Sequence, residues 1–269
     1  MRDDCIEPSG ALSRLTRILT EMESAVIAYS GGCDSTFLLK AAVLSGMRIL
    51  AVTGQSPTIP EHDVIDAREI AQTMDVHHIV IATSELEIAD FRKNPVNRCY
   101  YCKDHLFGKL KEIAVTAGYR FIIDGSNVDD LGDWRPGRKA ALNHGIRSPL
   151  IEAGLRKHDI RRSSRELGLP TWNKPSSPCL SSRFPYGMPI TIEGLRQVEA
   201  AEKFLKSFGF EELRVRHHKD IARIEVKEAD IQKMLAPEIR SAVNNYLRSL
   251  GFAFVTLDLE GFRSGRLNG

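Results

Sequence analysis

The stretch 29–36 reads YSGGCDST and contains residue types suited to binding phosphate. An apolar run at 25–28 precedes it and a second apolar run follows, which predicts a strand, a loop and a helix. The loop amides then lie at a helix N-terminus, where unpaired N–H groups and the helix dipole attract anions. Gly31 and Gly32 allow the backbone to approach phosphate closely, and Ser35 or its neighbour can cap the helix.

Three further cysteines could serve metal or redox chemistry. Cys99 and Cys102 form one Cys-x-x-Cys, and Cys179 lies in a proline-rich stretch. Three thiolates can hold a cubic iron–sulfur cluster with one iron left for a non-protein ligand. A zinc site, a disulfide or unrelated thiols are the alternatives, and spacing alone leaves all of these open. We expect Cys33 to be structural, and Cys5 receives no role.

Alternating elements must position these residues. The pattern predicts helices at 10–22, 36–45, 60–74, 101–117 and 156–167, and strands at 25–29, 48–53, 77–81 and 121–123. Such alternation is typical of an α/β fold, a doubly wound parallel sheet that binds ligands beyond the carboxyl ends of its strands. The phosphate loop and the polar residues 124–127 both leave strands at that edge. A charged stretch, 129–138, follows and favours contact with a ligand.

The pattern changes after a loop at 170–187, which we interpret as an ordered catalytic loop and domain junction. A helix is predicted at 191–208, a hairpin at 213–226, helices at 228–250 and a strand at 252–257; these ranges suit a smaller α+β domain with an antiparallel component. The predicted domains are 1–180, which binds the phosphate, and 181–269, which binds substrate or forms an oligomer.

The composition narrows the class of protein. The 269 residues are 42% hydrophobic and 27% charged, with a net charge of +2, which gives no sign of a dedicated nucleic-acid surface. No run approaches 18 apolar residues and no secretory signal is evident at the N-terminus, so we expect no membrane partner. Five cysteines without such a signal indicate a reducing, cytoplasmic location.

The hexapeptide Ser-Gly-Gly-x-Asp-Ser at 30–35 resembles the PP-loop of N-type ATP pyrophosphatases, and it lacks the Gly-Lys-Ser/Thr ending of a Walker A loop. Those enzymes cleave ATP between the α- and β-phosphates to adenylate a substrate, and their loop grips the pyrophosphate part of ATP. The resemblance implies ATP and Mg²⁺ as cofactors. The nucleotide contacts that we predict are Ala28, Ser30, Gly31, Gly32, Asp34, Ser35, Asp124 and Gly125.

Five further segments narrow the resemblance to the LarE family, the ATP-dependent sulfur transferases of nickel-pincer nucleotide synthesis. These segments are CYYCK at 99–103, DWRPG at 133–137, WNK at 172–174, SRFPYG at 182–187 and DLEGFRSG at 258–265. The match runs from about residue 12 to the C-terminus. It implies a small nucleotide substrate, pyridinium-3,5-biscarboxylic acid mononucleotide, whose carboxylates are adenylated and converted to thiocarboxylates.

The family has two versions of the sulfur step. In one, a single loop cysteine gives up its own sulfur; in the other, three cysteines carry a [4Fe–4S] cluster that passes on an extra sulfide. Because Cys99, Cys102 and Cys179 are all present, this sequence resembles the cluster version. The same three residues are therefore the predicted metal ligands and catalytic residues.

The resemblance also implies roles for charged residues of the C-terminal region. Arg183 is predicted to orient substrate or ATP beside the loop cysteine, and Glu202 and Glu225 match acidic positions near it. Arg214 and Arg216 match a pair that binds the substrate phosphate; two residues apart on a strand, they share one face. A solvated basic edge is the alternative. Family members assemble as hexamers, and a sulfur donor protein is a further expected partner.

Three other functions are alternatives to that of a LarE-type sulfur transferase. A tRNA thiolase also carries a PP-loop, but it would need an RNA-binding module or a strongly basic face. An amide-forming ligase such as an NAD or GMP synthetase does not explain three cysteines. A non-catalytic nucleotide sensor is the third alternative.

Overall fold

The computed structural model describes residues 10–132 and 136–263. The predicted contacts of the charged segment at Asp133, Trp134 and Arg135 lie outside the described residues, as do Cys5 and the last residues of the DLEGFRSG segment. In chain order the helices and strands are α1 (Gly10–Met22), β1 (Ser24–Ala28), α2 (Cys33–Leu44), β2 (Arg48–Gln55), α3 (Glu61–Thr73), β3 (His78–Ala82), α4 (Ala89–Arg92), α5 (Arg98–Thr116), β4 (Phe121–Asp124), α6 (Pro136–Asn143), α7 (Pro149–Glu152), α8 (Lys157–Glu166), α9 (Ile192–Ser207), β5 (Leu213–His218), β6 (Ile221–Val226), α10 (Ile231–Leu235), α11 (Pro237–Ser249) and β7 (Phe254–Leu257). Short 3₁₀ helices lie at Glu85–Glu87, Val128–Leu131, Leu180–Arg183 and Glu228–Asp230.

The chain divides into two compact units. The first unit comprises residues up to Ser56, Glu61–Glu85 and Cys99–Ser177. The second unit comprises Pro57–Pro60, Leu86–Arg98 and the chain from Pro178 onward. The sequence predicted one division at 180; the two short segments that join the second unit carry no compositional signal of their own.

A parallel sheet organises the first unit. Its strand order is β3-β2-β1-β4, and the register pairs Ala28 with Val52 of β2 and with Asp124 of β4. β1 is central and almost wholly buried, as its uninterrupted apolar sequence predicts for a strand covered on both faces. Helix α2 is buried on nearly every side and packs against α1 and α8. The predicted α/β fold class is confirmed.

A three-stranded sheet organises the second unit. β5 and β6 form an antiparallel hairpin across Lys219, which has a positive φ of 59°, and β7 pairs parallel to β6. The apolar sides of α9 and α11 cover this sheet through residues such as Leu205 and Leu247. The predicted hairpin and α+β character are therefore present. In the described residues, no helix is both long and apolar enough to cross a membrane.

Candidate functional site

The phosphate loop of the first unit leaves the carboxyl end of β1 and enters α2, as predicted. Its conformation is held by its own hydroxyl groups. The Ser30 amide donates to Ser35 Oγ at 3.3 Å, and Ser35 Oγ donates to the Gly32 carbonyl at 3.2 Å. The two hydroxyl oxygens are 3.1 Å apart. The first turn of α2 receives no side-chain cap at Gly32, so the dipole of this helix faces the loop with its N-terminal amides.

At two glycines of the predicted site, neighbouring atoms leave no space for a Cβ. Gly31 has a φ of +68°, and a Cβ at this position would lie 2.8 Å from the Cβ of Ala67 in α3. A Cβ on Gly125 would lie 2.9 Å from the Ser35 amide nitrogen. Gly125 therefore lets the loop after β4 pass directly against the phosphate loop, which brings both predicted segments together at one sheet edge.

Asp124 is buried at the end of β4. Its carboxylate accepts hydrogen bonds from Ser126 Oγ at 2.8 Å and from Ser148 Oγ at 2.7 Å. These contacts fix the orientation of the carboxylate beside Gly125. A direct contact of Asp124 with nucleotide or magnesium stays a prediction.

Helix α8 adds a cation to the loop that the sequence did not assign. Lys157 Nζ lies 2.7 Å from both carboxylate oxygens of Asp34, the second residue of α2. The Lys157 amide, at the first position of α8, donates to the Asp129 carboxylate at 2.8 Å. The signal in the sequence is a basic helix that follows the charged stretch, but helical periodicity alone does not say what such a helix contacts.

A second charged group ties the WNK segment to α3 within the first unit. Lys174 Nζ contacts Asp66 at 2.9 Å and Asp63 at 3.2 Å, and Ser177 Oγ donates to Asp63 at 2.9 Å. Burial alone would lower the pKa of Lys174, but the hydrogen bond and charge of Asp66 together with Asp63 outweigh it and raise this pKa. Lys174 is therefore a cation that fixes the end of the first unit just before Cys179.

The cysteines differ sharply in environment. Cys33 is buried, and burial raises the pKa of its thiol more than Lys157 lowers it, which suits the predicted structural role. Cys99 is exposed and Cys102 is partly exposed; one helical turn apart in α5, they lie on one side of that helix. A Cβ on Gly137 would lie 3.0 Å from Lys103 Cγ and 3.6 Å from the Cys99 carbonyl, so Gly137 at the start of α6 contacts α5 at the Cys-x-x-Cys.

Cys179 belongs to the second unit and is partly exposed. It precedes the 3₁₀ helix Leu180–Arg183, whose first amide donates to the Thr58 carbonyl at 2.8 Å. The Arg183 guanidinium donates back to the carbonyls of Pro178 at 2.7 Å and Cys179 at 3.2 Å. The backbone of the predicted sulfur-handling cysteine is thus held on both sides.

Arg183 itself is 2% exposed and is fully engaged with protein groups. It forms a two-pronged ion pair with Glu202, with both distances 2.8 Å. Glu202 also accepts from the Val215 amide at 3.0 Å. These contacts connect α9, β5 and the Cys179 loop, and they make Arg183 a residue that positions Cys179; direct contact with substrate or ATP stays a prediction.

The two arginines of β5 have different surroundings. Arg216 is buried, pairs with Glu225 at 3.0 and 2.8 Å and donates to the Ser182 carbonyl at 2.8 Å. Arg214 has no carboxylate within ion-pair distance among the described residues; it contacts its neighbouring carbonyl and lies 5.0 Å over the Phe262 ring. Burial, then the charge of Arg183, lowers the pKa of Arg214 to about 10. Of the predicted phosphate pair, Arg214 is the one without an ion pair among the described residues, although Glu202 and Glu225 act on its charge from a longer distance.

Asn94 was not predicted, although it holds the SRFPYG segment. It is fully buried and has a positive φ of 54°; its amide nitrogen donates to the carbonyls of Phe184 at 3.3 Å and Pro185 at 2.8 Å. Arg98 donates to the Asn94 side-chain oxygen at 3.0 Å and stacks on Tyr186 at 4.9 Å. The dipeptide Asn94-Pro95 is typical of a break in regular structure, but it does not indicate which segment Asn94 contacts.

Metal ligands form no recognisable group in the described parts of the chain. Within 10–132 and 136–263, no three or more side chains of histidine, cysteine, aspartate or glutamate are arranged to hold a metal ion. The exposed or partly exposed thiols of Cys99, Cys102 and Cys179 are the ligand type that an iron–sulfur cluster takes. Their joint role as cluster ligands stays a prediction.

Comparison with known proteins identifies the family. No family model matches the chain. An uncharacterized protein of Synechocystis is 43% identical over 96% of this chain and 96% of its own length. The pyridinium-3,5-bisthiocarboxylic acid mononucleotide synthase of Lactiplantibacillus plantarum is 41% identical over 94% of this chain and 92% of its own length.

The chain belongs to the family of this synthase, the LarE family. The family relationship spans both units, so the second unit is part of the shared architecture of LarE proteins.

A solved structure supports the fold of the LarE chain independently. NMN synthetase from Francisella tularensis superposes with a TM-score of 0.53 over 75% of this chain and 87% of its own, at 19% identity. At this level of identity the similarity shows the fold alone. It agrees with the α/β fold described above.

Proposed function

We propose that this LarE-family protein is a cytoplasmic, ATP-dependent sulfur transferase. It adenylates the carboxylates of pyridinium-3,5-biscarboxylic acid mononucleotide and converts them to thiocarboxylates. The observation that carries this proposal is the 41% identity, over 94% of the chain, to a protein named as the synthase of the bisthiocarboxylic product. Assembly as a homo-oligomer, the hexamer of the family, and a sulfur donor protein are part of the same proposal.

In the first step a substrate carboxylate oxygen attacks the α-phosphorus of Mg-ATP and pyrophosphate leaves. We propose that the loop amides at the start of α2 bind the leaving pyrophosphate, since such fixed dipoles stabilise charge without reorganisation. Gly31 and Gly125 support this step indirectly, because their missing side chains let the phosphate loop pack against Ala67 and let the loop after β4 pass against the Ser35 amide. Asp124 is the carboxylate at this edge of the sheet that we propose for magnesium.

The second unit supplies the anchor for the substrate. Arg214 carries a cation with no carboxylate of the described residues at ion-pair distance, and a substrate phosphate matches it in charge. Arg216 supports the same strand from within, through its pair with Glu225. Burial lowers the pKa of Arg214, but its guanidinium is charged at neutral pH and can receive a phosphate.

Three cysteines are proposed to hold a [4Fe–4S] cluster, with Cys99 and Cys102 in one helix and Cys179 in the loop fixed by Arg183. When bound, the cluster would supply the sulfide that displaces AMP from the adenylated carboxylate. The chain's own contribution is to hold Cys179 by its backbone through Arg183 and Glu202.

The activity is tested with Mg-ATP, sulfide and the biscarboxylic mononucleotide under anaerobic conditions. We expect pyrophosphate release that depends on the mononucleotide, and a product mass that rises by 16 Da for each oxygen replaced by sulfur. Pyrophosphate release without substrate, or none at all, would contradict the proposal. A tRNA substrate serves as the negative control.

The cluster is tested separately by iron and acid-labile sulfide per chain after anaerobic reconstitution. Cys179→Ala is expected to lose iron and sulfur transfer while it still releases pyrophosphate. Cys5→Ala removes a cysteine outside the predicted ligand set and is the matched control. A Cys179→Ala protein that binds full iron and transfers sulfur would show the ligand assignment to be wrong.

A further inference from the structure

The chain forms a tight turn against β6 directly after it leaves β7. The Asp258 amide donates to the Ile224 carbonyl at 2.8 Å, and the Phe262 amide donates to the Val226 carbonyl at 2.7 Å. Between them the Gly261 amide donates to the Asp258 carbonyl at 3.2 Å, which closes the turn. The backbone of this turn is therefore hydrogen-bonded to β6 at both ends.

Two further contacts fix the position of the turn. Gly261 has a φ of +70°, and a Cβ there would lie 2.8 Å from the Val226 carbonyl oxygen, so the turn lies directly against β6. The Asp258 carboxylate, whose side chain is 8% exposed, pairs with Arg223 at 3.2 Å. The backbone at Phe262 is thus placed by β6 and by an ion pair, and not by the Phe262 ring.

The Phe262 ring lies over the guanidinium of Arg214. The central carbon of this guanidinium is 5.0 Å from the ring centre, within the range of a cation–π contact. Arg214 donates to the Leu213 carbonyl at 2.7 Å and has no carboxylate at ion-pair distance among the described residues. The positive charges of Arg183 and Arg216 also act on it. The ring therefore contacts a cation that its charged neighbours repel.

The ring can hold this cation without occupying the groups that bind an anion. An arginine side chain has many rotamers, and the carboxylates of Glu202 and Glu225 restrict those of Arg183 and Arg216. A carboxylate paired with Arg214 would occupy the same N–H groups that a phosphate needs. An aromatic face attracts the guanidinium plane and leaves the N–H groups at its edge able to donate.

We propose that Phe262 is a positioning residue for the substrate phosphate: it holds the Arg214 guanidinium flat against its ring, with the N–H edge directed to the anion. The inference rests on the proposed function and goes beyond it in substrate choice. A phosphate oriented by Arg214 lets the protein distinguish the mononucleotide from the corresponding nucleoside. The contact acts on binding alone, so no bond in the reaction depends on it.

The test compares full-length wild type with Phe262→Leu in the sulfur-transfer assay and in calorimetry. We expect the KM for the biscarboxylic mononucleotide to rise about 3- to 30-fold while kcat stays within twofold of wild type. Affinity for the nucleoside, which lacks the phosphate, and for Mg-ATP should change less than about twofold. Phe262→Tyr keeps the ring and should stay near wild type.

Two controls separate positioning of Arg214 from a general effect on folding. In an Arg214→Met background, Phe262→Leu should cause no further rise in KM, because the residue through which it acts is absent. Phe254→Leu removes a phenylalanine that is 60% exposed on β7 of the same unit, and it should leave KM unchanged. Circular dichroism checks the fold of each variant, and Phe262→Met is the second ringless variant if the leucine variant does not fold.

Four outcomes overturn the inference. The first is a KM for the mononucleotide within twofold of wild type in the ringless variants. The second is a loss of the same size in the Arg214→Met background, and the third is an equal loss of affinity for mononucleotide and nucleoside. The fourth is a Phe254→Leu variant as weak as Phe262→Leu. If wild type forms the thiocarboxylate in these cases, only this inference fails. If wild type neither binds nor converts the mononucleotide, the proposed function fails and the inference fails with it.

Discussion

The two units contain different kinds of groups that could bind an anion. In the first unit the phosphate loop relies on backbone: glycines with no room for a Cβ, amides at a helix end, and short contacts between hydroxyl groups. In the second unit the corresponding groups are charged side chains, most of which form ion pairs. Arg183, Arg216 and Arg223 pair with Glu202, Glu225 and Asp258, and Arg214 adds one further positive charge among the described residues.

This difference predicts which kind of substitution disrupts each unit. A backbone site fails when a side chain is added, because nothing nearby can move aside. An ionic network fails when a side chain is removed, because the partner is left buried with its charge. Substitutions that add a side chain to the phosphate loop, and substitutions that remove one from the ionic network, therefore test the two arrangements separately.

The largest effect is expected from Glu202→Ala in the second unit. The change leaves Arg183, which is 2% exposed, without its carboxylate and removes the acceptor of the Val215 amide. Breaking a buried pair from one side costs about 3–5 kcal/mol. Urea unfolding followed by circular dichroism measures the loss in the free energy of unfolding.

The matched control for this prediction is Glu212→Ala. Glu212 pairs with Lys227 at 2.9 Å, but both side chains are about 40% exposed. Solvent screens such surface pairs, so we expect a much smaller loss in the free energy of unfolding than for Glu202→Ala. Equal losses in the two glutamate variants would show that burial of the ionic network is not what stabilises the second unit.

Much of this architecture could be predicted from local pattern. The strand, glycine loop and helix at 24–44 follow from apolar runs and one hexapeptide, and the hairpin at 213–226 follows from alternation around a turn. The short helices α4, α6 and α7 were not predicted, because four to eight residues show too little periodicity.

The parts of the site that could not be predicted are contacts between distant segments. Lys157 lies 123 residues from Asp34, and Asn94 lies 91 residues from Pro185. No spacing rule connects such residues, since their proximity is decided by how the helices pack. Arg214 and Arg216 show the same limit: the pattern put them on one face, but only the surrounding carboxylates distinguish the paired arginine from the unpaired one.

Gly31→Ala is the corresponding way to break the backbone site of the first unit. Gly31 has a left-handed backbone, with a φ of +68°, which alanine adopts only with strain. The new Cβ would also lie 2.8 Å from the Cβ of Ala67. Strain and overpacking together cost about 3 kcal/mol. We expect loss of Mg-ATP binding by calorimetry together with lower thermal stability.

Gly46→Ala provides the comparison for this change. Gly46 has a φ of +73°, but nothing lies within 4 Å of an added Cβ. Its cost is the backbone term alone, about 1–2 kcal/mol, with Mg-ATP binding retained. If Gly46→Ala also abolishes binding, the close approach to Ala67 is not the reason for glycine in the loop.

The smallest effect is a pH dependence that belongs to the first unit. Tyr29, 2% exposed at the start of the loop, has its pKa raised from 10.0 to about 12 by burial, with a further increase from Asp66 and a decrease from its hydrogen bond with Thr36. Because the folded pKa exceeds the unfolded one, its contribution to stability is complete below pH 10. It is lost as the pH rises through about 12. The difference corresponds to at most about 2.7 kcal/mol.

Tyr29→Phe isolates this contribution because phenylalanine does not ionise. The free energy of unfolding of wild type, relative to that of Tyr29→Phe, should stay constant from pH 7 to 9. It should then fall by about 1.4 kcal/mol for each pH unit between 10 and 12. Urea titrations across this range measure both proteins under the same conditions, so ionisation elsewhere cancels in the difference. If the difference in the free energy of unfolding between the two proteins instead stays constant up to pH 12, the Tyr29 hydroxyl is hydrated in the folded protein. The phosphate loop would then pack less tightly on α2 and α3 than the close contacts of its glycines indicate.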